Sequence, residues 1–332
     1  MHDCRKHYRP RSTPRLERSF ARHETCFIDG DMKTMQIDRF GGPEVLHAAE
    51  APEPHAGRGQ VRVRVRAIGV NQFDAKVRSG AMEALFRTPL PALLGTELAG
   101  VIDEVGAGVT ELAAGDEIFG LSDGGAYAEL ALASVVAKKP KGLSWELAAS
   151  LAVAGETATR VLDALAVQRG ETLLVHGGAG VVGSVAVQLA RLRGAQVIAT
   201  GSAANQALVA SLGATPVVYG DGLVARVRAL GAPVDAVFDA AGKGALPDSI
   251  ELRGGKTRIV TIADPSAHQL GIPFSAGTAA TSNVAALRTM AELAASGKVT
   301  VAVAEVLPLA EAARAHALVE KSHAPGKIVL TV

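Results

Sequence analysis

One stretch constrains the fold of this chain more than any other: a glycine run set between a strand pattern and a helix pattern. Thr172-Leu173-Leu174-Val175 reads as a buried strand. Gly177-Gly178-Ala179-Gly180-Val181-Val182-Gly183 follows. Val185, Leu189 and Leu192 then recur at helical spacing until Gly194. The G-x-G-x-x-G at Gly178, Gly180 and Gly183 is weak alone, but it gains meaning between a strand and a helix of a βαβ unit. Gly178 is expected to permit the tight turn, Gly180 to let the backbone approach a pyrophosphate, and Gly183 to let the helix pack on the strand. Ala179, Val181 and Val182 complete the expected cofactor loop, where unpaired N–H groups and the positive end of the helix dipole meet phosphate. The other reading is a glycine-rich turn with no ligand.

Strand and helix patterns then alternate: strands at Gln196–Thr200, Pro216–Tyr219, Ala236–Asp239 and Arg258–Ile262, with a helix running to Leu212. Alternation of this length predicts an α/β doubly wound (Rossmann) parallel sheet. Upstream the style differs. Val61-Arg62-Val63-Arg64-Val65-Arg66-Ala67 alternates strictly, and short β-like segments punctuated by Gly95, Gly100, Gly106, Gly108, Gly115 and Gly120 follow it. That predicts a mostly antiparallel β domain. Ser144, with Glu146 in the first turn, is expected to cap a helix at the transition. Downstream, a helix near Val284–Ala295, a strand near Thr300–Val306, a helix near Leu309–Glu320 and a strand Lys327–Val332 are expected. The resulting division is 1–34 as a disordered basic extension, with Met32 or Met35 as a candidate first residue, then 35–150, 151–279 and 280–332.

The turn after the second parallel strand bears on the choice of dinucleotide. A carboxylate about twenty residues beyond the glycine loop would hold a ribose 2′-OH and select NAD. The sequence there reads Thr200-Gly201-Ser202-Ala203-Ala204-Asn205, without an acid. A 2′-phosphate meets no repulsion, and Ser202 and Asn205 can donate to it, so NADPH is the expected cofactor. The alternative role for these two side chains is capping the next helix.

Bulk properties narrow the partners. Thirty-four basic and 33 acidic residues give a formal net charge of +1, and aromatics make up 4 %. Neither favours nucleic acid or an anionic membrane. No apolar run approaches a membrane span. The two cysteines, Cys4 and Cys26, leave Phe27 to Val332 without a thiol, which excludes a disulfide framework or a thiolate zinc site there. The expected setting is the cytoplasm and the expected partner a small molecule.

Several stretches together resemble one family. Gly69-Val70-Asn71-Gln72-Phe73-Asp74-Ala75-Lys76-Val77-Arg78-Ser79-Gly80 is similar to the GVNPxDWKxRxG segment of zinc-free quinone oxidoreductases. Leu94 to Ile102 resembles their G-x-E-x-A-G-V-V segment, Val175 to Gly183 their glycine loop, and Gly326-Lys327-Ile328-Val329-Leu330 their ending. The match runs from about Met35 to Val332. The chain is identified as a member of the quinone oxidoreductase-like branch of the medium-chain dehydrogenase/reductase superfamily.

The resemblance implies a GroES-like catalytic domain with a Rossmann domain inserted in it, an active site in the cleft between them, and a homodimer. Zinc-dependent relatives hold their metal with Cys, His and Cys. The matching positions here are Asn71, Thr96 and Val153, an amide, a hydroxyl and an aliphatic group, so metal-free operation is expected. Glu97 is expected to be structural. The family often has Trp where Ala75 stands, and related quinone reductases a Tyr near Met82, so the pocket is expected to differ in shape. Thr157 resembles a Thr near the nicotinamide, and Tyr219 a residue near the adenosine phosphate, or else a core-edge aromatic. His176 is expected to be structural.

Without a metal, a simple carbonyl has no strong electrophile beside it. A quinone or an α,β-unsaturated carbonyl spreads the incoming charge through its own π system. Asn71, Lys76 and Thr96 are the candidates to hydrogen-bond its oxygen. Asp74 is read either as orienting the segment or as moving a proton. Two further readings stay open: a dedicated enoyl reductase of a biosynthetic pathway, and a nucleotide-binding protein with little turnover.

Overall fold

The computed structural model describes residues 30–85, 87–277, 283–321 and 326–332. Cys4, Cys26 and most of the basic extension lie outside the described residues. The antiparallel part begins with β1 (Asp31–Ile37) and β2 (His47–Pro52), paired from Asp31↔Pro52 to Gln36↔His47. The extension was expected to run to residue 34. Instead Asp31 to Thr34 open β1, with Met32 and Thr34 buried. Their order comes from a partner strand some fifteen residues on, which local composition does not reveal.

β3 (Val61–Val70) buries Val61, Val63 and Val65 and turns Arg64 and Arg66 outward, the pattern its alternation predicts. α1 (Gln72–Arg78), β4 (Ala92–Leu93), β5 (Glu97–Val105), β6 (Glu117–Leu121), β7 (Leu130–Ala133) and β8 (Val135–Lys138) follow. α2 (Trp145–Ala148) starts at Ser144, whose hydroxyl accepts the Leu147 N–H at 3.2 Å. α3 (Ala152–Ala164) leads into the parallel part.

There β9 (Thr172–His176), α4 (Val181–Leu192), β10 (Gln196–Gly201), α5 (Gln206–Ser211), β11 (Thr215–Val218), α6 (Leu223–Arg228), β12 (Ala236–Asp239), α7 (Leu246–Arg253) and β13 (Ile259–Thr261) alternate. The five strands pair in parallel in the order β11-β10-β9-β12-β13. All five residues of β9 are buried, because helices cover both faces of such a sheet.

α8 (Ala267–Leu270), α9 (Val284–Ala295), β14 (Val303–Pro308), α10 (Ala312–Lys321) and β15 (Lys327–Thr331) complete the described chain. α9 places Leu287, Met290 and Ala291 in the same core as α3 and β9. α9 also packs on β8 of the antiparallel sheet, and β14, α10 and β15 then join that sheet. β15 pairs antiparallel with β3 and parallel with β14, giving the order β14-β15-β3-β5-β6-β8, with β7 also on β3. The fold is thus a GroES-like antiparallel body joined to a doubly wound parallel sheet. Among the described residues, no helix is long and apolar enough to cross a membrane.

Strand register positions the site. Gly69 of β3 lies opposite Glu97, the first residue of β5, and Val70 lies opposite Ile328 of β15. Asn71, Glu97 and Lys327 therefore converge at one end of the sheet, although they are spread over the chain.

Candidate active site

The glycine loop is built almost wholly from backbone. Gly177, at φ +77°, makes the left-handed turn after β9, and its N–H donates to the Thr200 hydroxyl at 3.1 Å. The turn was expected at Gly178, whose φ is not left-handed. Gly178 is needed for another reason: a Cβ there would stand 2.6 Å from the Cβ of Ala199. Its N–H donates to the Thr200 carbonyl at 2.8 Å, tying the loop to β10. Gly183 meets its expected packing role, because a Cβ would overlap the Gly177 carbonyl oxygen and lie 2.8 Å from its carbon. Gly180 is the N-cap of α4 and is exposed; a Cβ there would meet only the Gly177 oxygen at 3.3 Å.

Val181, Val182 and Gly183 open a twelve-residue helix, so their N–H groups have no intrahelical acceptor. With Gly180 exposed and bare in front of it, this positive helix end leaves backbone N–H groups uncovered and fits a pyrophosphate.

At the end of β10, neither Ser202 nor Asn205 spends its side chain on capping. Gln206 instead ties the turn back onto the end of β10, its Nε2 donating to the carbonyls of Gly201 at 3.1 Å and Ser202 at 2.9 Å. Tyr219 is 57 % exposed, and its N–H reaches the Gly201 carbonyl, so the ring belongs to the rim of this turn rather than to the core. The Arg226 guanidinium braces the same rim by donating to the carbonyls of Val218, Gly220 and Asp221. His176 is buried in the sheet. Its Nε2 donates to Ser249 at 2.9 Å, because the Ser249 hydroxyl is itself given to Ala245, and burial lowers the imidazole pKa.

The second half of the site is a polar cluster where the antiparallel sheet meets α3. Lys327, 2 % exposed, pairs with Glu97, which is fully buried, and donates to Asn71 Oδ1 at 2.6 Å. Asn71 Nδ2 donates to Glu97 at 3.0 Å and to the Gly69 carbonyl at 3.3 Å. The other Glu97 oxygen accepts the Val153 N–H at 2.7 Å, which pins α3 to β5. Gly69 makes the room: a Cβ would overlap the Ala149 carbonyl and stand 2.5 Å from Glu97 and 2.6 Å from Lys327.

Asp74 closes the cluster. One oxygen accepts the Asn71 N–H at 2.8 Å, and the other meets the Thr96 hydroxyl at 2.5 Å. Burial pushes the Asp74 carboxyl up to about 6, with Glu97 adding to the rise, against hydrogen bonds from Thr96 and Asn71 and the nearby Lys327 charge. Thr157 lies one turn of α3 beyond Val153, buried beside Glu156 and Arg160.

Asn71, Asp74 and Thr96 are therefore brought together, and Lys76 is not: it stands on the exposed side of α1. Both amide donors of Asn71 are engaged inside the protein. The cation that does join the cluster is Lys327, which sequence reasoning did not single out as a site residue. Its signal was a lysine directly before an apolar strand, and only the pairing of β15 with β3 gives that position meaning. Among the described residues, no group of three or more His, Cys, Asp or Glu could hold a metal ion.

Comparison with known proteins agrees with the fold. Residues 57–141 match the family described as alcohol dehydrogenase GroES-like domain, and residues 212–330 the one described as zinc-binding dehydrogenase. The chain is 31 % identical over 325 residues to quinone oxidoreductase 1 of Escherichia coli, covering 89 % of this chain and 98 % of that protein. It is 33 % identical to the chloroplastic NADPH-dependent alkenal/one oxidoreductase of Arabidopsis thaliana, over 91 % of this chain and 80 % of that one. Pikromycin polyketide synthase component PikAII of Streptomyces venezuelae is 42 % identical over 203 residues, and the match spans only 5 % of its length.

Among solved structures, a mycobacterial protein complexed with NADPH superposes with a TM-score of 0.80 at 31 % identity, over 91 % of this chain and all of that one. CurK enoyl reductase gives 0.80 at 25 % identity, over 91 % and 99 %.

Proposed function

The chain belongs to the quinone oxidoreductase-like branch of the medium-chain dehydrogenase/reductase superfamily, an oxidoreductase family, and on that premise we propose that it is an NADPH-dependent, zinc-independent reductase of quinones or α,β-unsaturated carbonyls. One observation carries the reading: a backbone cradle suited to a dinucleotide stands in the same molecule as a seam whose zinc-matching positions hold Asn71, Thr96 and Val153.

NADPH bound in the cradle would supply hydride from its nicotinamide ring. Gly177 to Gly183 would hold the pyrophosphate on the first turn of α4. Ser202 and Asn205 have side chains free to donate to a 2′-phosphate, and the exposed Tyr219 ring stands beside them. No acid stands at Gly201 to Asn205 to repel that phosphate. Thr157 lies one turn of α3 beyond the contact that Val153 makes with the cluster and would flank the nicotinamide. The NADPH in the mycobacterial neighbour and in the name of the plant relative supports the same choice.

The zinc argument rests on donor chemistry. An amide oxygen, a hydroxyl and a valine side chain do not make a Zn²⁺ site, and Lys327 already places a buried cation at this point. A conjugated acceptor then fits best, because its own π system carries the developing charge. Asn71 would act by fixing the cluster, and Thr96 is the part-exposed residue whose hydroxyl would meet the acceptor oxygen.

A second reading, a dedicated enoyl reductase, is favoured by the structural match to CurK enoyl reductase. A screen of NADPH oxidation over quinones, alkenals, enoyl thioesters and simple ketones separates these readings. Turnover of quinones or alkenals is expected, in protein that carries no stoichiometric zinc. Turnover of enoyl thioesters alone supports the second reading. NADPH binding without turnover of any acceptor would show a nucleotide-binding protein instead.

A further inference from the structure

The cluster at the seam holds more than an oxygen-binding group. Asn71 and Thr96 are its part-exposed members. Asn71 has given both amide hydrogens to Gly69 and Glu97. Thr96 keeps a choice: its single hydrogen can point inward to Asp74 or away from it, toward a ligand. Which way it points depends on the carboxyl 2.5 Å behind it. An ionised Asp74 can only accept, so Thr96 donates inward. A protonated Asp74 donates to Thr96 Oγ1 and frees the threonine hydrogen for a ligand.

We propose that Thr96 and Asp74 form a two-membered proton relay, in which Asp74 gives its proton to Thr96 while Thr96 gives its own to the carbonyl oxygen of the bound acceptor. The inference deepens the conjugated-carbonyl reading and rests on it. Hydride addition at the β-carbon of an enone forms a C–H bond and leaves an enolate. The enolate oxygen takes the Thr96 proton, the Thr96 oxygen takes the Asp74 proton, and the resulting enol rearranges to the saturated ketone. Asp74 is left as a carboxylate and recovers its proton through Thr96, once the product has left and water reaches that hydroxyl. Thr96 is the residue that touches substrate, and Asp74 acts through it.

The surroundings suit this task. Asp74 is 2 % exposed, so the proton has no direct aqueous neighbour to escape to. Its charged neighbours are Lys327 on β15 and Glu97 on β5, which are paired with each other. Tyr127 stands within reach of its charge and is bonded to His316 of α10, which meets Arg78 of α1, itself paired with Glu320. Arg78 donates to His316 Nδ1, so Nε2 carries the hydrogen given to Tyr127 at 2.8 Å. Burial holds the Tyr127 pKa well above its ordinary value, and burial with the Arg78 charge brings His316 down to about 3. Neither changes charge between pH 5 and 8. Asp74, raised by burial to about 6, does. Its protonated form is the productive one, so turnover must fall as pH rises through that value.

The test uses the full-length protein with its fastest enone and NADPH, at pH 5 to 8. The wild type should lose kcat above an inflection near 6, approaching about tenfold per pH unit. Thr96→Val should lower kcat by roughly a hundredfold, leave KM little changed and remove the inflection. Thr96→Ser should restore rate and inflection alike. Calorimetry supplies a reading independent of turnover: the saturated ketone product, titrated in buffers of different ionisation enthalpy, should bind with proton uptake at pH 7 in the wild type and Thr96→Ser, and without it in Thr96→Val. An enone that is reduced with a flat profile, or an inflection that survives in Thr96→Val, overturns the relay while leaving the reductase standing. Failure to reduce any enone removes the functional reading itself.

Discussion

The glycine loop and the seam cluster are built on opposite plans. The loop is shaped by the absence of side chains: Gly177, Gly178, Gly180 and Gly183 fall within seven consecutive residues, and on the proposed reading backbone groups would do the binding. The cluster works because side chains are present and mutually satisfied, and its members come from β3, α1, β5, α3 and β15. A cofactor whose phosphates are alike in every reaction can be met by backbone. On the proposed reading, a seam that meets substrate without a metal must place charge and hydrogen with named side chains. The loop should therefore be sensitive to added volume and the cluster to removed charge.

The largest expected effect follows from the buried pair. Lys327→Met keeps the length of the side chain but strands Glu97 in the interior, which costs about 3–5 kcal/mol. Urea denaturation should show it as a lower midpoint at unchanged slope. A change within error would mean that solvent reaches Glu97 and that the cluster is not closed.

Two glycine substitutions come next, and they should diverge. Gly183→Ala forces a methyl against the Gly177 carbonyl, at a cost of about 1–3 kcal/mol, and should weaken NADPH binding as the loop shifts. Gly180→Ala meets only a 3.3 Å contact within the protein, so thermal stability should stay near that of the wild type while NADPH affinity falls. Equal losses of stability in both variants would contradict the separate roles given to the two glycines.

The loop was legible in sequence because its information is local. A strand, a spaced glycine set and a helix lie in one window, and steric need survives without knowledge of the fold. Even so, the left-handed residue is Gly177 and not Gly178, because spacing alone does not distinguish a turn from a close approach to Ala199. The cluster was half legible. Asn71 and Thr96 could be named from family-like segments, whereas Lys327 could not, since it lies 256 positions from its partner Asn71. Lys76 looked equivalent in sequence and faces outward, because α1 buries Asp74, Ala75, Val77 and Arg78 instead. The strand at residues 31–34 was hidden for a similar reason, its order coming from β2.

The smallest effect concerns cofactor choice. Ser202→Asp places a carboxylate at the end of β10, where it would repel a 2′-phosphate and accept from a ribose hydroxyl. The ratio of NADPH to NADH affinity should fall by about tenfold, roughly 1.4 kcal/mol. A ratio near one in the unmodified protein would remove the basis for preferring NADPH.

The central claim is that hydride passes directly to a conjugated acceptor at a site that uses no metal. It is tested most directly with NADPH deuterated at nicotinamide C4, in protein freed of metal by a chelator, with an alkenal or enone as acceptor. The account predicts full turnover and deuterium on the β-carbon of the product, with the α-hydrogen drawn from water. Deuterium on the carbonyl carbon, or turnover that disappears with the chelator and returns with zinc, would contradict it.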